Sequence, residues 1–94
     1  MPIYISLLKW TDQGRANANT LPDRVEAVEK RVTEAGGRTI GHWMTMGRFD
    51  QIVVTEAPDD ESVAKLLMIV AGRGNAVTET LRGFTMDEVR QLLS

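Results

Sequence analysis

The sequence has no cysteine and only one histidine, His42, and these two absences remove several kinds of chemistry. Without cysteine the chain has no disulfide, no thiol nucleophile and no thiolate metal ligand, as is common in a reducing compartment. A single histidine excludes a metal centre built from several imidazoles. We therefore expect no metal site and no cofactor, and we expect a cytoplasmic protein.

A charge excess of one sign and a long apolar run are also missing. The 11 basic and 13 acidic residues give a net charge of −2 and are spread along the chain, so we expect no nucleic-acid-binding surface. No apolar run approaches the roughly 18 residues that a membrane span needs, and the N-terminus lacks the pattern of a signal peptide. The 94 residues are 43% hydrophobic, which predicts one folded domain over residues 1–94.

Hydrophobic periodicity predicts four strands and two main helices. The strands are expected at residues 3–10, 38–46, 49–57 and 76–84. The first helix begins at Thr20-Leu21-Pro22-Asp23 and ends at Gly36-Gly37. The second begins at Pro58-Asp59-Asp60-Glu61 and ends at Gly72.

Three shorter signals complete the prediction. Gly47-Arg48 is expected to turn the chain between the second and third strands, which are then antiparallel. Thr85-Met86-Asp87-Glu88 has the pattern of a capping box and predicts a short closing helix. Thr11 is expected to cap one helical turn ahead of the first main helix.

The order strand, helix, strand occurs twice and predicts an α+β, ferredoxin-like βαββαβ fold. In that fold a four-stranded antiparallel sheet has two helices on one face and none on the other. A bare and partly apolar face of this size usually contacts a partner. We therefore expect a homodimer or higher homo-oligomer, with two sheets stacked as a dimeric α/β barrel.

Four segments resemble proteins of the GYD domain family: TDQG at 11–14, TMGRFD at 45–50, EAPDDE at 56–61 and GNAVTETLRGFT at 74–85. The resemblance spans nearly the whole chain and implies the dimeric α/β-barrel fold. The tyrosine of the family signature is Phe49 here, so any proton-donating role of its hydroxyl group is absent. The family is largely uncharacterised, so the resemblance implies a fold more than a function.

His42 and Asp50 are the candidate catalytic residues. His42 has the only side chain whose ordinary pKa lies near neutrality, so it is suited to proton transfer in a pocket. On an open strand it would be a half-exposed polar residue. Asp50 follows Phe49 at the start of the third strand, where it would orient Arg48 or act as a base. Its structural alternative is to accept hydrogen bonds from the turn.

Five residues form the predicted ligand-binding set: Tyr4, His42, Trp43, Arg48 and Arg82. The prediction assumes that Ile3, Ile5, Leu7, Ile52 and Val54 point at the helices. The barrel interior would then hold Tyr4, Ser6, Gln51, Thr55 and Arg82, closed by Trp43. Alternation places His42 and Trp43 on opposite faces without deciding which one faces inward. The alternative is a subunit interface packed by these same side chains.

Two functions follow from these features. The first is a module that binds or senses a small molecule in the cavity of an oligomeric barrel. The second is a cofactor-independent monooxygenase-like enzyme acting on a small aromatic compound or a quinol, by analogy of fold. The sequence leaves open whether the chain catalyses a reaction, which ligand it takes and how many subunits assemble.

Overall fold

A computed structural model describes residues 1–94 and contains the predicted elements in the predicted order. Four strands are present: β1 (Ile3–Trp10), β2 (Arg38–Met44), β3 (Gln51–Glu56) and β4 (Ala76–Gly83). The helices are α1 (Asp12–Ala16), α2 (Leu21–Glu34), α3 (Asp60–Gly72) and α4 (Met86–Leu93), with a 3₁₀ turn at Ala18–Thr20. Strands β2 and β3 are shorter than predicted, because residues 45–50 form the connection between them.

The strands form one antiparallel sheet in the order β2-β3-β1-β4, as the ferredoxin-like prediction requires. Strand β1 is central and pairs with β3 on one side and β4 on the other. Helix α2 packs over β2, and α3 packs over β4. Both main helices contact the face that contains Ser6, Gln51 and Val53, so they lie on the same face of the sheet and the opposite face is open.

Side chains at the helix ends explain where three helices begin. The hydroxyl group of Thr11 accepts a hydrogen bond from the backbone of Gly14 at the start of α1. Asp59 accepts one from Ser62 at the start of α3, and Thr85 and Glu88 form the predicted capping box of α4. At the other end of α2, Gly36 has a φ of +87°, the left-handed conformation that ends a helix.

The predicted assignment of the sheet faces is wrong. The buried strand residues are Tyr4 and Ser6 on β1 and Gln51, Val53 and Thr55 on β3, and they lie on the face that the helices cover. The apolar residues on the open face are Ile3, Ile5, Leu7, Ile52 and Val54, which are only partly buried in the isolated chain. On β1 and β3 the sets of alternating residues were predicted correctly, but the apolar set faces away from the helices.

A β-bulge in β2 also changes which residues share a face. Thr39 pairs with Thr55, but the next paired residue is Gly41, opposite Val54. The extra residue, Ile40, moves Thr39 onto the face of His42 rather than that of Gly41 and Trp43. Simple alternation along this strand predicted the opposite grouping for Thr39, and one inserted residue is enough to reverse it.

The connection between α1 and the sheet depends on Gly14, which is buried against the backbone of Asn75. A Cβ atom at residue 14 would lie 2.0 Å from the carbonyl oxygen of Asn75. The close approach is held by backbone and side-chain hydrogen bonds from Thr11 to Asn75 and Gly74. This position therefore requires a residue without a side chain.

We expect Gly14→Ala to lower the free energy of unfolding by about 1–3 kcal/mol, because backbone atoms have to move apart. The matched control is Gly72→Ala at the end of α3, where a Cβ atom would meet nothing within 4 Å. That change should be neutral or stabilising by up to about 1 kcal/mol. Denaturant unfolding at equal protein concentration measures both; equal effects of the two variants would contradict the packing described.

Candidate functional site

A cavity of about 90 Å³ lies between the covered face of the sheet and helices α2 and α3. That is roughly six times the smallest volume that holds one water molecule. Ten of its 18 lining residues are hydrophobic, among them Leu8, Val25, Val28, Leu66, Leu67 and Val70. The cavity combines an apolar wall from the helices with polar side chains from the strands, which is the usual character of a small-molecule site.

A chain of hydrogen bonds joins three side chains at the sheet side of the cavity. The indole N–H of Trp10 donates to Oε1 of Gln51 at 2.5 Å. Nε2 of Gln51 lies 2.8 Å from Nε2 of His42. Gln51 is only 5% exposed, so its amide group has to find its partners within the protein.

These bonds determine the proton position on His42. An indole N–H only donates, so Oε1 of Gln51 is the acceptor and its amide NH₂ group must donate. Nε2 of His42 then accepts and carries no proton. The neutral imidazole therefore has its proton on Nδ1, and that atom is buried without a hydrogen-bond partner.

Arg24 presents a second unpaired donor at the same cavity. One terminal nitrogen, Nη2, donates to the carbonyl oxygens of Gly14 and Asn17, at 3.5 and 3.3 Å. Its Nε atom is buried and has no partner. A buried donor without an acceptor costs about 1–3 kcal/mol, and more when the group is charged. Both unpaired nitrogens thus belong to residues that line the cavity.

Burial lowers the pKa of His42 below its ordinary value of 6.5, and the nearby carboxylate of Glu29 opposes this effect. The hydrogen bond from Gln51 acts in the same direction as burial, because a protonated imidazole has no acceptor to offer that amide. His42 is therefore neutral at pH 7. In this state Nδ1 has the proton and no partner, and Nε2 accepts from Gln51.

We expect the protein to lose stability as the pH falls below about 6.5. The lowered pKa means that the unfolded chain binds a proton at residue 42 more readily than the folded chain. The contribution of His42 is therefore complete above pH 6.5 and is lost as the pH falls through the lowered pKa. His42→Gln keeps an acceptor for Gln51 and removes the titration. Denaturant unfolding of both proteins from pH 7.5 to 5 should show a difference that grows on acidification; parallel curves would contradict it.

Asp50 has a structural contact at the end of β1. Its carboxylate accepts the backbone N–H of Trp10 at 2.8 Å, and its own N–H donates to the carbonyl of Leu8 at 2.9 Å. The side chain thus anchors the β2–β3 connection to β1 rather than accepting from its own turn. Asp50 does not line the cavity that contains His42.

Tyr4 and Arg82 lie together at the opposite end of the covered face. The hydroxyl of Tyr4 donates to Asp60, and this bond, together with burial and the charge of Asp60, raises the pKa of Tyr4 to about 12. The guanidinium of Arg82 lies 4.3 Å from the ring centre of Phe84 and 5.9 Å from that of Tyr4. These contacts pack β1, β4 and the start of α3. They leave the phenol protonated at physiological pH.

The other two members of the predicted binding set lie elsewhere. Trp43 is on the open face, 52% exposed, with its ring across Gly41. Arg48 is exposed in the β2–β3 connection, 5.7 Å from the ring centre of Phe49. Of the five predicted ligand-binding residues, only His42 lines the cavity.

Sequence reasoning missed the two arginines of the cavity, Arg24 and Arg73. Arg24 follows Leu21 by three positions and precedes Val28 by four, so it lies at the edge of the apolar stripe of α2. A charged residue at that spacing is a usable signal, because its stem lies beside the core side chains. Arg73 follows the predicted end of α3 and has no comparable signal.

The open face of the sheet is the second candidate site. Its exposed apolar side chains include Trp43, Val77 and Leu81, next to the partly buried Ile5 and Val54. Only 9 of the 94 residues are buried, and the total accessible surface is 6272 Å². A folded monomer of 10.4 kDa is expected to expose roughly 5,400 Å². The excess is about the 800 Å² that each partner buries in a standard protein interface.

Neither a metal-binding cluster nor a membrane-spanning helix is found. No group of three or more histidine, cysteine, aspartate or glutamate side chains is placed to hold a metal ion. None of the helices combines the length and apolar character needed to cross a membrane.

Comparison with known proteins matches the chain to one family model and to a related bacterial protein. The family model described as GYD domain matches residues 4–93. The chain is similar to a Thermus thermophilus protein named glutamine synthetase and cystathionine beta-lyase binding protein. The two are 29% identical over 90 residues, which is 95% of each chain.

Three solved structures have the same fold at low sequence identity. TTHA0845 from Thermus thermophilus has a TM-score of 0.55 at 20% identity, covering 90% of this chain and 95% of that one. FFRP-DM1 has a TM-score of 0.60 at 13% identity, and the match covers 89% of this chain and 100% of that one. The hypothetical protein PHS023 from Pyrococcus horikoshii has a TM-score of 0.55 at 14% identity, and the match covers 90% of this chain and 92% of that one. These likenesses confirm the ferredoxin-like fold.

Proposed function

This chain belongs to the GYD domain family, and we propose that it is a binding protein that works as a homodimer or larger homo-oligomer paired through the open face of its sheet. The observation that carries the proposal is the apolar open face itself. Alternating residues of all four strands form it, and Trp43 and Leu81 are about half exposed. An apolar surface of this extent is costly to leave in water.

A second copy of the same face is the partner that best matches its chemistry. The face carries few charges, with Lys9 and Glu79 contributing one of each sign near one end and Arg38 paired with Glu56 at the other. Two such faces meet without an excess of like charge. The surface excess over a compact monomer also agrees with the area that one subunit loses in a standard interface.

We expect the wild-type protein to be a dimer or a larger assembly in solution, and Trp43→Lys to weaken that assembly at least tenfold. The substitution puts a charge at the interface and removes its largest aromatic side chain. The matched control is Met46→Lys, because Met46 is 93% exposed and lies in the β2–β3 connection. Sedimentation velocity over a concentration series measures both. A monomeric wild-type protein, or an assembly indifferent to Trp43→Lys, would contradict the proposal.

We further propose that the assembled protein binds metabolic enzymes, with glutamine synthetase and cystathionine β-lyase as the candidates. The support is the Thermus relative whose name states that binding, together with a match that covers 95% of both chains. The two catalytic candidates, by comparison, make structural hydrogen bonds within the chain. His42 is bonded to Gln51 through Nε2, and Asp50 to the backbone of Trp10.

We expect purified wild-type protein to bind purified glutamine synthetase or cystathionine β-lyase from its own organism in a saturable way. Biolayer interferometry with an unrelated oligomeric enzyme as the negative control measures this. Trp43→Lys then tests whether the assembled form is required: loss of binding with Trp43→Lys, but not with Met46→Lys, would link enzyme binding to pairing of the sheets. Absence of binding to both enzymes would refute the enzyme-binding proposal while leaving the sheet pairing intact.

A second candidate function is the binding or sensing of a small molecule, and the cavity beside His42 favours it. The predicted pocket was inside a barrel formed by two sheets, whereas this cavity lies between the sheet and the helices of one chain. Each subunit would therefore hold its own ligand. The monooxygenase-like alternative, with His42 or Asp50 as base, stays a prediction that no specific contact favours.

A further inference from the structure

The cavity between the sheet and helices α2 and α3 has a one-sided charge. Its 18 lining residues include two arginines, Arg24 and Arg73, and no aspartate or glutamate. The whole protein has a net charge of −2, so the positive charge at this cavity is opposite in sign to the net charge of the chain. An arginine beside apolar side chains is stabilised by an anion that takes the place of water.

The unpaired donors at this cavity are the second observation. Nε of Arg24 and Nδ1 of His42 are both buried, and neither has a hydrogen-bond partner. The bond from Gln51 to Nε2 leaves Nδ1 of His42 as a donor, by the argument given for its tautomer. Nearly all buried polar groups in folded proteins are paired, and these two donors have no acceptor within the chain. A third unpaired atom, Oγ1 of Thr39, does not line the cavity.

The acidic side chains nearby do not supply that acceptor. Asp50 is bonded to the backbone of Trp10. Glu29 lies close enough to His42 to oppose the effect of burial on its charge, but it is not among the lining residues. The remaining wall is aliphatic, from the leucine and valine side chains of α2 and α3.

From these observations we infer that the cavity binds a small carboxylate with an apolar body, whose oxygens pair with the guanidinium of Arg24 and whose hydrocarbon part packs against α2 and α3. This deepens the small-molecule function proposed above and rests on it. A carboxylate has two acceptor oxygens, which matches the forked N–H donors of a guanidinium group. The aliphatic wall favours a branched or cyclic hydrocarbon part over a polar one.

The test uses 3-methylbutanoate as the carboxylate probe and 3-methylbutan-1-ol as a neutral control with the same carbon skeleton. Acetate is the control that has the charge and lacks the apolar body. Titration of ¹⁵N-labelled wild-type protein, followed by amide and imidazole chemical shifts, gives the affinity and the location. We expect saturable shifts around His42, Val28 and Leu67 with 3-methylbutanoate, and binding at least tenfold weaker for the alcohol and for acetate.

Two substitutions connect the binding to the named donors. Arg24→Met keeps the aliphatic stem and removes the donors, and it should weaken the carboxylate at least tenfold while leaving the alcohol unchanged. Because Arg24 also bonds to Gly14 and Asn17, Arg24→Lys is the second variant: it keeps the charge and lacks the Nε donor. The matched control is Arg90→Met on α4, because Arg90 is exposed and pairs with Asp87. The amide spectrum of each variant reports whether it is folded.

Equal affinity for 3-methylbutanoate and the alcohol would overturn the inference, because it would show an apolar cavity without selectivity for an anion. Absence of any saturable shift in the cavity would also overturn it, and shifts confined to the surface around Arg90 would do the same. None of these results bears on sheet pairing or on enzyme binding, which sedimentation and interferometry measure separately. The failure of this inference is therefore distinguishable from that of the proposed binding protein.

Discussion

A four-stranded sheet has two faces, and the two main helices of this chain cover one of them. Both helices lie over the face that contains Tyr4, Ser6 and Gln51, and the fold has no third layer. Every other property of the structure is related to this constraint. The covered face contains the cavity and its hydrogen bonds, while the open face contains the apolar side chains that a domain of this size would ordinarily bury.

In a simple core the covered face of the sheet would be apolar and the open face polar, and here the polarity of the two faces is reversed. The side chains under the helices include serine, threonine and glutamine, and they are paired with one another: Ser6 with Thr80, and Gln51 with Trp10 and His42. Such a layer is stable only when its polar groups are satisfied. Three buried polar atoms have no partner: Nδ1 of His42 and Nε of Arg24, whose residues line the cavity, and Oγ1 of Thr39, which does not line it.

The two proposed roles use different surfaces, so they are compatible in one molecule. Sheet pairing would use Trp43, Leu81 and their neighbours, whereas the cavity lies on the helix side of the sheet. The strands are common to both, because residues of one strand alternate between the two faces. His42 and Trp43 are adjacent in β2 and belong to different surfaces. A ligand that changes the position of β2 would therefore act on both.

The sequence by itself determined the order and approximate limits of the helices and strands, since these depend on local signals such as the caps at Thr11 and Thr85 and the glycine at Gly36. Alternation also determined which residues share a face on β1 and β3. Only the tertiary structure decided which set faces the helices, because alternation is symmetric between the two sides of a strand and an apolar set is stable against either helices or a partner. The bulge at Ile40 and the presence of Arg24 and His42 at one cavity were equally beyond the sequence, because each depends on the packing of segments distant in the chain.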